Sequence, residues 1–335
     1  MDNVSLKPRL YMFDNLKFLL ITLVVLGHTL TSEVIDNVYL RSIFLFIYSF
    51  HMPLFLFISG LFQKKESDSI NRKKVVTYIV LGLIIKMFVM FADGMLFSGE
   101  PKFSLLNGDG LFWYLFVLAY YHVICYCFRK VDARLILIIS TLLSLFIGYD
   151  NSIGDFLCLS RAIVFFPFYY IGFCLKPNQV LEYCSKKVVR ISSVVLILTW
   201  LLLNIFCIDD LYSLRGLFTG RNSYDDVSES FGMLHRCLTS LISLIVSISF
   251  ISVSTYFNRC IPMISQIGEK TLQVYFWHSI LLKVLRYFDT FENLETILPN
   301  SCWIVFIVIS LIIVVILSED IFNKPIQWIT NSIKV

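Results

Sequence analysis

The sequence predicts an all-α, polytopic membrane protein with about ten transmembrane helices and both termini cytoplasmic. Three observations carry this. Of 335 residues, 57% are hydrophobic and 16% charged, with mean hydropathy +0.77, whereas soluble domains hold roughly 45–50% apolar and about 25% charged residues. Apolar runs recur at close to the ~20 residues that a helix needs to cross the hydrocarbon core. Basic residues collect in alternate connections, which sets a sidedness.

The runs fall at about 13–32, 41–62, 75–96, 110–128, 135–149, 160–175, 191–208, 236–256, 271–288 and 301–318. The first follows Arg9 and carries Asp14, Lys17 and His28. The second holds Pro53, which removes a backbone hydrogen bond and can kink the helix beside His51. Arg72-Lys73-Lys74 precedes the third, and Gly110-Leu111-Phe112-Trp113-Tyr114-Leu115 opens the fourth. The fifth and sixth are short, and the stretch between them, Tyr149 to Ser160, could be re-entrant. Lys186, Lys187 and Arg190 lead into the seventh, and the eighth to tenth are separated by Arg259 with Lys270 and by the acidic Asp289 to Glu292.

With Lys7 and Arg9, Lys64 and Lys65, Arg129, Lys130 and Arg134, Lys176, Lys324 and Lys334, the basic connections face the cytoplasm by the positive-inside rule. The opposite ones are richer in acid, as in Asp209-Asp210 and Asp225-Asp226-Val227-Ser228-Glu229. A net charge of +4 therefore reports orientation rather than nucleic-acid binding. Residues 1–335 read as one integral domain, and Met1 to Lys7 lacks the pattern of a cleavable signal peptide. The longest hydrophilic connection, Asp209 to Ser230, lies outside and could cover an external site or simply connect.

Nine cysteines are scattered through the chain without CxxC or metal-ligand spacing, so no metal site is expected. No Gly-rich phosphate loop, GxSxG or HExxH occurs, so nucleotide hydrolysis and conventional hydrolase chemistry lack support. The ionisable residues within apolar runs are the candidates, because such groups are costly in a bilayer. Lys17 and His28 are eleven positions apart and return to within about 20° on one helix face, roughly 16 Å apart along the axis. Asp14 can pair with Lys17 at i,i+3. His51 and His278 lie deep in their spans, each open to a packing or a functional reading. Arg161 begins the sixth span on the outer side and could meet an anionic or hydroxylated substrate. Lys86 is central, with Asp93 as one possible partner. Lys283 and Arg286 lie near an outer end, from which they can snorkel to water. Ser59-Gly60 points to close helix contact, and Trp113 with Tyr114 to an aromatic wall or an interfacial belt.

Asp14-Asn15-Leu16-Lys17-Phe18-Leu19-Leu20 through Val24-Val25-Leu26-Gly27-His28, followed by Phe50-His51-Met52-Pro53-Leu54-Phe55-Leu56-Phe57-Ile58-Ser59-Gly60, resembles the acyltransferase 3 family of integral membrane acyltransferases. The nearest branch by these residues is the fucose 4-O-acetylase-like proteins. The resemblance extends through Phe112 to Leu115, Arg161 to Gly172 and Gly268 to His278. It implies transfer of an acyl group, usually acetyl from cytoplasmic acetyl-CoA, to a hydroxyl of a glycan or lipid-linked glycan at or beyond the outer face of the cell membrane. It also implies a basic residue and a histidine separated by ten residues on the first helix, matched by Lys17 and His28, with Lys where many relatives carry Arg. Arg72-Lys73-Lys74 match the family's basic segment for handling acyl-CoA, without its usual continuation.

On this reading His28, Asp14 and Lys17 are catalytic, His28 acting as base or acyl carrier. His51, Trp113, Arg161 and His278 contact substrate, and Arg72, Lys73 and Lys74 contact the donor. A transmembrane carrier of acyl groups or glycans is the alternative.

Overall fold

The computed structural model describes residues 9–30, 37–63, 71–97, 108, 110–227 and 231–333. Lys7, Lys64, Lys65, Ser228, Glu229 and Lys334, which enter the charge pattern above, lie outside the described residues. In chain order the α-helices are α1 (Tyr11–Thr29), α2 (Val38–Tyr48), α3 (His51–Leu61), α4 (Arg72–Leu96), α5 (Trp113–Cys127), α6 (Ala133–Phe146), α7 (Leu159–Cys174), α8 (Pro177–Cys184) and α9 (Lys187–Phe206). They continue as α10 (Ile208–Leu211), α11 (Arg215–Phe218), α12 (Gly232–Ser254), α13 (Pro262–Glu269), α14 (Thr271–Tyr287), α15 (Thr290–Ile297), α16 (Cys302–Leu317) and α17 (Asp320–Ser332).

A helix occupies each of the ten expected segments. By length and composition, however, five helical stretches can cross a membrane unaided, or seven if the bent pairs α7 with α8 and α16 with α17 each count as one span. The shortfall has a physical cause: α5 and α6 are 15 and 14 residues long, and α14 carries Lys283 and Arg286 within its 17 residues.

Pro53 does not kink the middle of a helix. The second run breaks earlier, at Ser49-Phe50, and Pro53 sits in the first turn of α3, where a missing N–H costs no intrahelical bond. The long helices run between two poles, named here by α1, and the α2–α3 break falls within one 24-residue stretch. At the Lys17 pole, α3 ends with Phe62 edge-on to Phe13 at 5.1 Å, and Asn15 donates to the carbonyls of Phe257 and Arg259 at 2.7 and 3.1 Å and accepts from Ser265. At the His28 pole, Arg286 donates to the His28 carbonyl at the end of α1, and α4 ends near the Lys283–Asp93 ion pair.

Helix α1 is the axle of the bundle. Most of its side chains are buried, and it packs on α2, α3, α12, α13, α14 and α16. Helices α3 and α7 pack backbone to backbone. A Cβ on Gly60 would strike the Tyr169 carbonyl, and one on Gly172 would strike the Phe57 carbonyl. Paired glycines at this spacing bring the two backbones into contact, as small residues do between membrane helices. That contact fixes α7, and with it Arg161, against the element that begins with His51.

Candidate functional site

The His28 pole contains a cavity of about 380 Å³ lined by side chains from α1, α2, α3, α4, α5, α7, α11 and α14. His28 and His51 lie on its wall together with Tyr48, Trp113, Arg161, Tyr275 and Ser279. Residues far apart in sequence are thus brought to one space by helices that all end at the same pole.

Local hydrogen bonds set the imidazoles. His51 Nδ1 lies 2.7 Å from the Ile47 carbonyl and His278 Nδ1 lies 3.0 Å from the Val274 carbonyl, each one turn back. A carbonyl only accepts, so in both rings Nδ1 carries a proton and donates it. His278 is fully buried and does not line the cavity. It stands behind His28, with ring centroids 5.5 Å apart and the planes tilted by 42°. The histidines therefore form a cluster in which His28 faces the space and His278 backs it.

Arg161 is buried, donates to the Gly108 carbonyl at 3.0 Å, pairs with Asp155 at 3.4 Å and stacks over Trp113 at 5.1 Å. Trp113 in turn packs against Phe165 at 5.8 Å. Trp113 is thus a platform inside the protein rather than a member of an interfacial belt. Tyr114 is also internal, its hydroxyl 2.8 Å from Ser59 Oγ.

Asp14 and Lys17 are not part of this cavity. At the opposite pole Asp14 binds Lys17 and Arg9, both at 2.8 Å, and Arg9 reaches Glu269 at 2.6 Å. Arg72, Lys73 and Lys74 begin α4, with the first two exposed and Lys74 near the Tyr78 ring at 5.9 Å. None of the three lines the cavity.

Between the poles lies a second, apolar cavity of about 160 Å³, which shares Val24, Met52 and Tyr275 with the first and reaches Ser59, Tyr78 and Thr271. These last residues sit closer to the Lys17 pole along α3, α4 and α14. The two spaces are in line, with three side chains between them.

Several residues were placed differently by sequence reasoning. Asp93 pairs with Lys283 of α14, not with Lys86, because seven residues along one helix leave roughly 10 Å between the two. Lys86 instead lies over the Phe112 ring at 4.3 Å. Lys283 and Arg286 do not snorkel away; they line the cavity. Arg215 and Arg221 also line it and were missed. The available signal was the length of the Asp209 to Ser230 connection. Buried Arg236 was missed too. It donates to the carbonyls of Leu217 and Asn222 and so ties that connection to α12. Among the described residues no group of three or more His, Cys, Asp or Glu side chains is placed to hold a metal.

Residues 10–319 match the model of a family described as an acyltransferase domain, acyltransferase 3. Neither the curated proteins nor the solved structures contain a match. The family match spans nearly the whole described bundle, including α1 with His28, both cavities and the α14 wall. The chain therefore belongs to the acyltransferase 3 family and is a membrane acyltransferase.

Proposed function

We propose that the protein moves acetyl from acetyl-CoA to a sugar hydroxyl of a cell-surface polysaccharide or lipid-linked glycan, in the manner of the fucose 4-O-acetylase-like branch. The observation that carries this is the alignment of the two cavities: a polar space holding His28 at one pole, backed by an apolar space directed toward the other. The Lys17 pole faces the cytoplasm, since Arg72, Lys73, Lys74, Arg129, Lys130, Lys186 and Lys187 gather there. Both termini are on that side, and all ten helical segments cross the membrane.

Arg72, Lys73, Lys74 and Lys17 hold the phosphates of the donor. Its thioester arm runs through the apolar space past Tyr275 and presents the acyl carbon at His28. The acceptor enters the polar space from outside. Its hydroxyl oxygen attacks the thioester carbon while His28 takes the hydroxyl proton, an imidazole being suited to this near neutrality. The carbon–sulfur bond breaks, and the proton passes to the departing thiolate to give the free CoA thiol and the ester. Ser279 Oγ, buried on the wall with no hydrogen-bond partner among the described residues, is placed to donate to the tetrahedral oxyanion. His51 and Trp113 position the acceptor, and His278 backs His28. Asp14 holds Lys17 in place.

The test combines a cell and a purified system. Deleting the gene and comparing O-acetyl signals of surface glycans by NMR should show their loss, with restoration by wild type and not by His28→Ala present at normal levels. Purified protein should release CoA thiol from acetyl-CoA only when acceptor is added. Unchanged acetylation after deletion in an expressing strain overturns the reading.

A further inference from the structure

The polar cavity has a charge its catalytic role does not require. Arg161, Arg215, Arg221, Lys283 and Arg286 all line it, and no Asp or Glu among the described residues does. These cations stand at the pole that sequence composition makes poor in surface base, where positive charge opposes the sidedness of the chain. Arg215 stacks on Phe44 at 5.6 Å and on Tyr212 at 5.5 Å, which covers the face of the guanidinium; Nη1 donates to the Tyr212 hydroxyl at 3.4 Å, and the remaining edge N–H groups point the fork at the cavity it lines. Arg221 follows six residues later on the same connection; it reaches Asp155 at 3.5 Å, a carboxylate it shares with Arg161, so two guanidiniums face one acid there. Arg236 clamps the carbonyls of Leu217 and Asn222 between and beside them, so both arginines are presented by a tethered segment.

We propose that the acceptor bears an oxyanion, a carboxylate or a phosphate close to the hydroxyl that is acylated, and that Arg215 and Arg221 bind it. Arginine's planar fork matches both groups. At about 380 Å³ the space lies at the lower end of ligand pockets, ~300–1,000 Å³, so the charged group and the reacting hydroxyl belong to neighbouring positions of one small unit. The inference rests on the reading of this cavity as the acceptor site, with the donor entering from the other pole.

The test measures binding to the full-length protein in lipid nanodiscs, read by tryptophan fluorescence because Trp113 lines the cavity. Four probes are used: a glucuronate-terminated oligosaccharide, its carboxyl-reduced neutral counterpart, a prenyl-diphosphate-linked sugar, and CoA. A charged glycan probe should bind at least tenfold more tightly than the neutral one. The double variant Arg215→Gln/Arg221→Gln should remove most of that difference while binding the neutral probe as wild type does. Preference for the glucuronate assigns the oxyanion to the glycan, and preference for the diphosphate assigns it to the lipid carrier. Equal binding of charged and neutral probes, no binding of either charged glycan probe, or CoA binding that is lost in the double variant overturns the proposal. Charge-selective binding without acyl transfer would instead sink the acetylation reading, and with it the acceptor assignment, while leaving Arg215 and Arg221 as an anion-binding site.

Discussion

Replacing Arg236 with Met tests whether one buried guanidinium holds the connection that forms the outer wall of the cavity. The side chain is 1% exposed and donates to the Leu217 and Asn222 carbonyls, the latter at 3.2 Å. Hydrogen bonds from a charged donor contribute about 1.5–3 kcal/mol each. Leu217 keeps a second donor, the Gly220 amide at 3.1 Å, so its loss falls at the low end and the sum is roughly 3–4 kcal/mol. Met removes a buried charge while keeping most of the volume, which offsets the loss in the global balance but not in the local one. At a factor of ten per 1.4 kcal/mol, opening of residues 215–227 should become about 100- to 1,000-fold more frequent. Hydrogen exchange followed by mass spectrometry reads this directly. The Tyr224 amide, bonded to the Gly148 carbonyl at 2.7 Å, and the Val227 amide, bonded to the Tyr224 carbonyl at 3.1 Å, are the reporters. Exchange there within threefold of wild type, or a rise spread equally over α1 and α3, would refute the assignment.

Gly60→Leu or Gly172→Leu should lower the apparent melting temperature in detergent, since overpacking a tight contact costs about 1–3 kcal/mol or more; an unchanged value would mean that α3 and α7 are not held backbone to backbone. Asn15→Ala removes three hydrogen bonds at the Lys17 pole and should cost about 2–4 kcal/mol, seen as a lower melting temperature with acyl transfer per folded molecule preserved. Lys283→Met should destabilise only slightly, because Asp93 is 45% exposed and a partly solvated pair contributes ~0–1 kcal/mol. In a double-mutant cycle with Asp93→Asn, coupling well above that range would show the pair to be more shielded than its geometry implies.

The helices were legible because a sustained apolar run marks one, and each of the ten segments contains a helix, although only five to seven are long and apolar enough to cross a membrane. Their lengths were not, since Pro53 and Ser49-Phe50 compete to end a helix and only packing decides which does. His28, His51 and Arg161 were legible as costly ionisable groups in apolar runs. Arg215, Arg221 and Arg236 were not, because in a hydrophilic connection an arginine at a cavity looks like one in water. The same ambiguity ran the other way for Lys283 and Arg286: nearness to a helix end permits snorkelling, and only the inward face of α14 denies it. Trp113 and Tyr114 sit where an interfacial belt is expected, but α7 packs over Trp113 and α3 with α14 enclose Tyr114.

Lys17 and His28 share a helix face but stand roughly 16 Å apart, so they cannot act on the same atom. A single substrate could engage both only through a long arm, which is how the proposed donor would bridge the poles. Lys17→Gln then separates binding from chemistry. Asp14 keeps Arg9 at 2.8 Å after the change, so no carboxylate is stranded and the fold should hold. One partly exposed charge contact contributes ~0.2–1 kcal/mol, which predicts a rise of up to about fivefold in KM for acetyl-CoA, with kcat and the acceptor KM unchanged. His28→Ala should do the reverse, removing kcat while the donor still binds. If Lys17→Gln instead lowers kcat at saturating donor with no loss of thermal stability, the lysine reaches the reacting atoms and the division between the two ends of α1 is wrong.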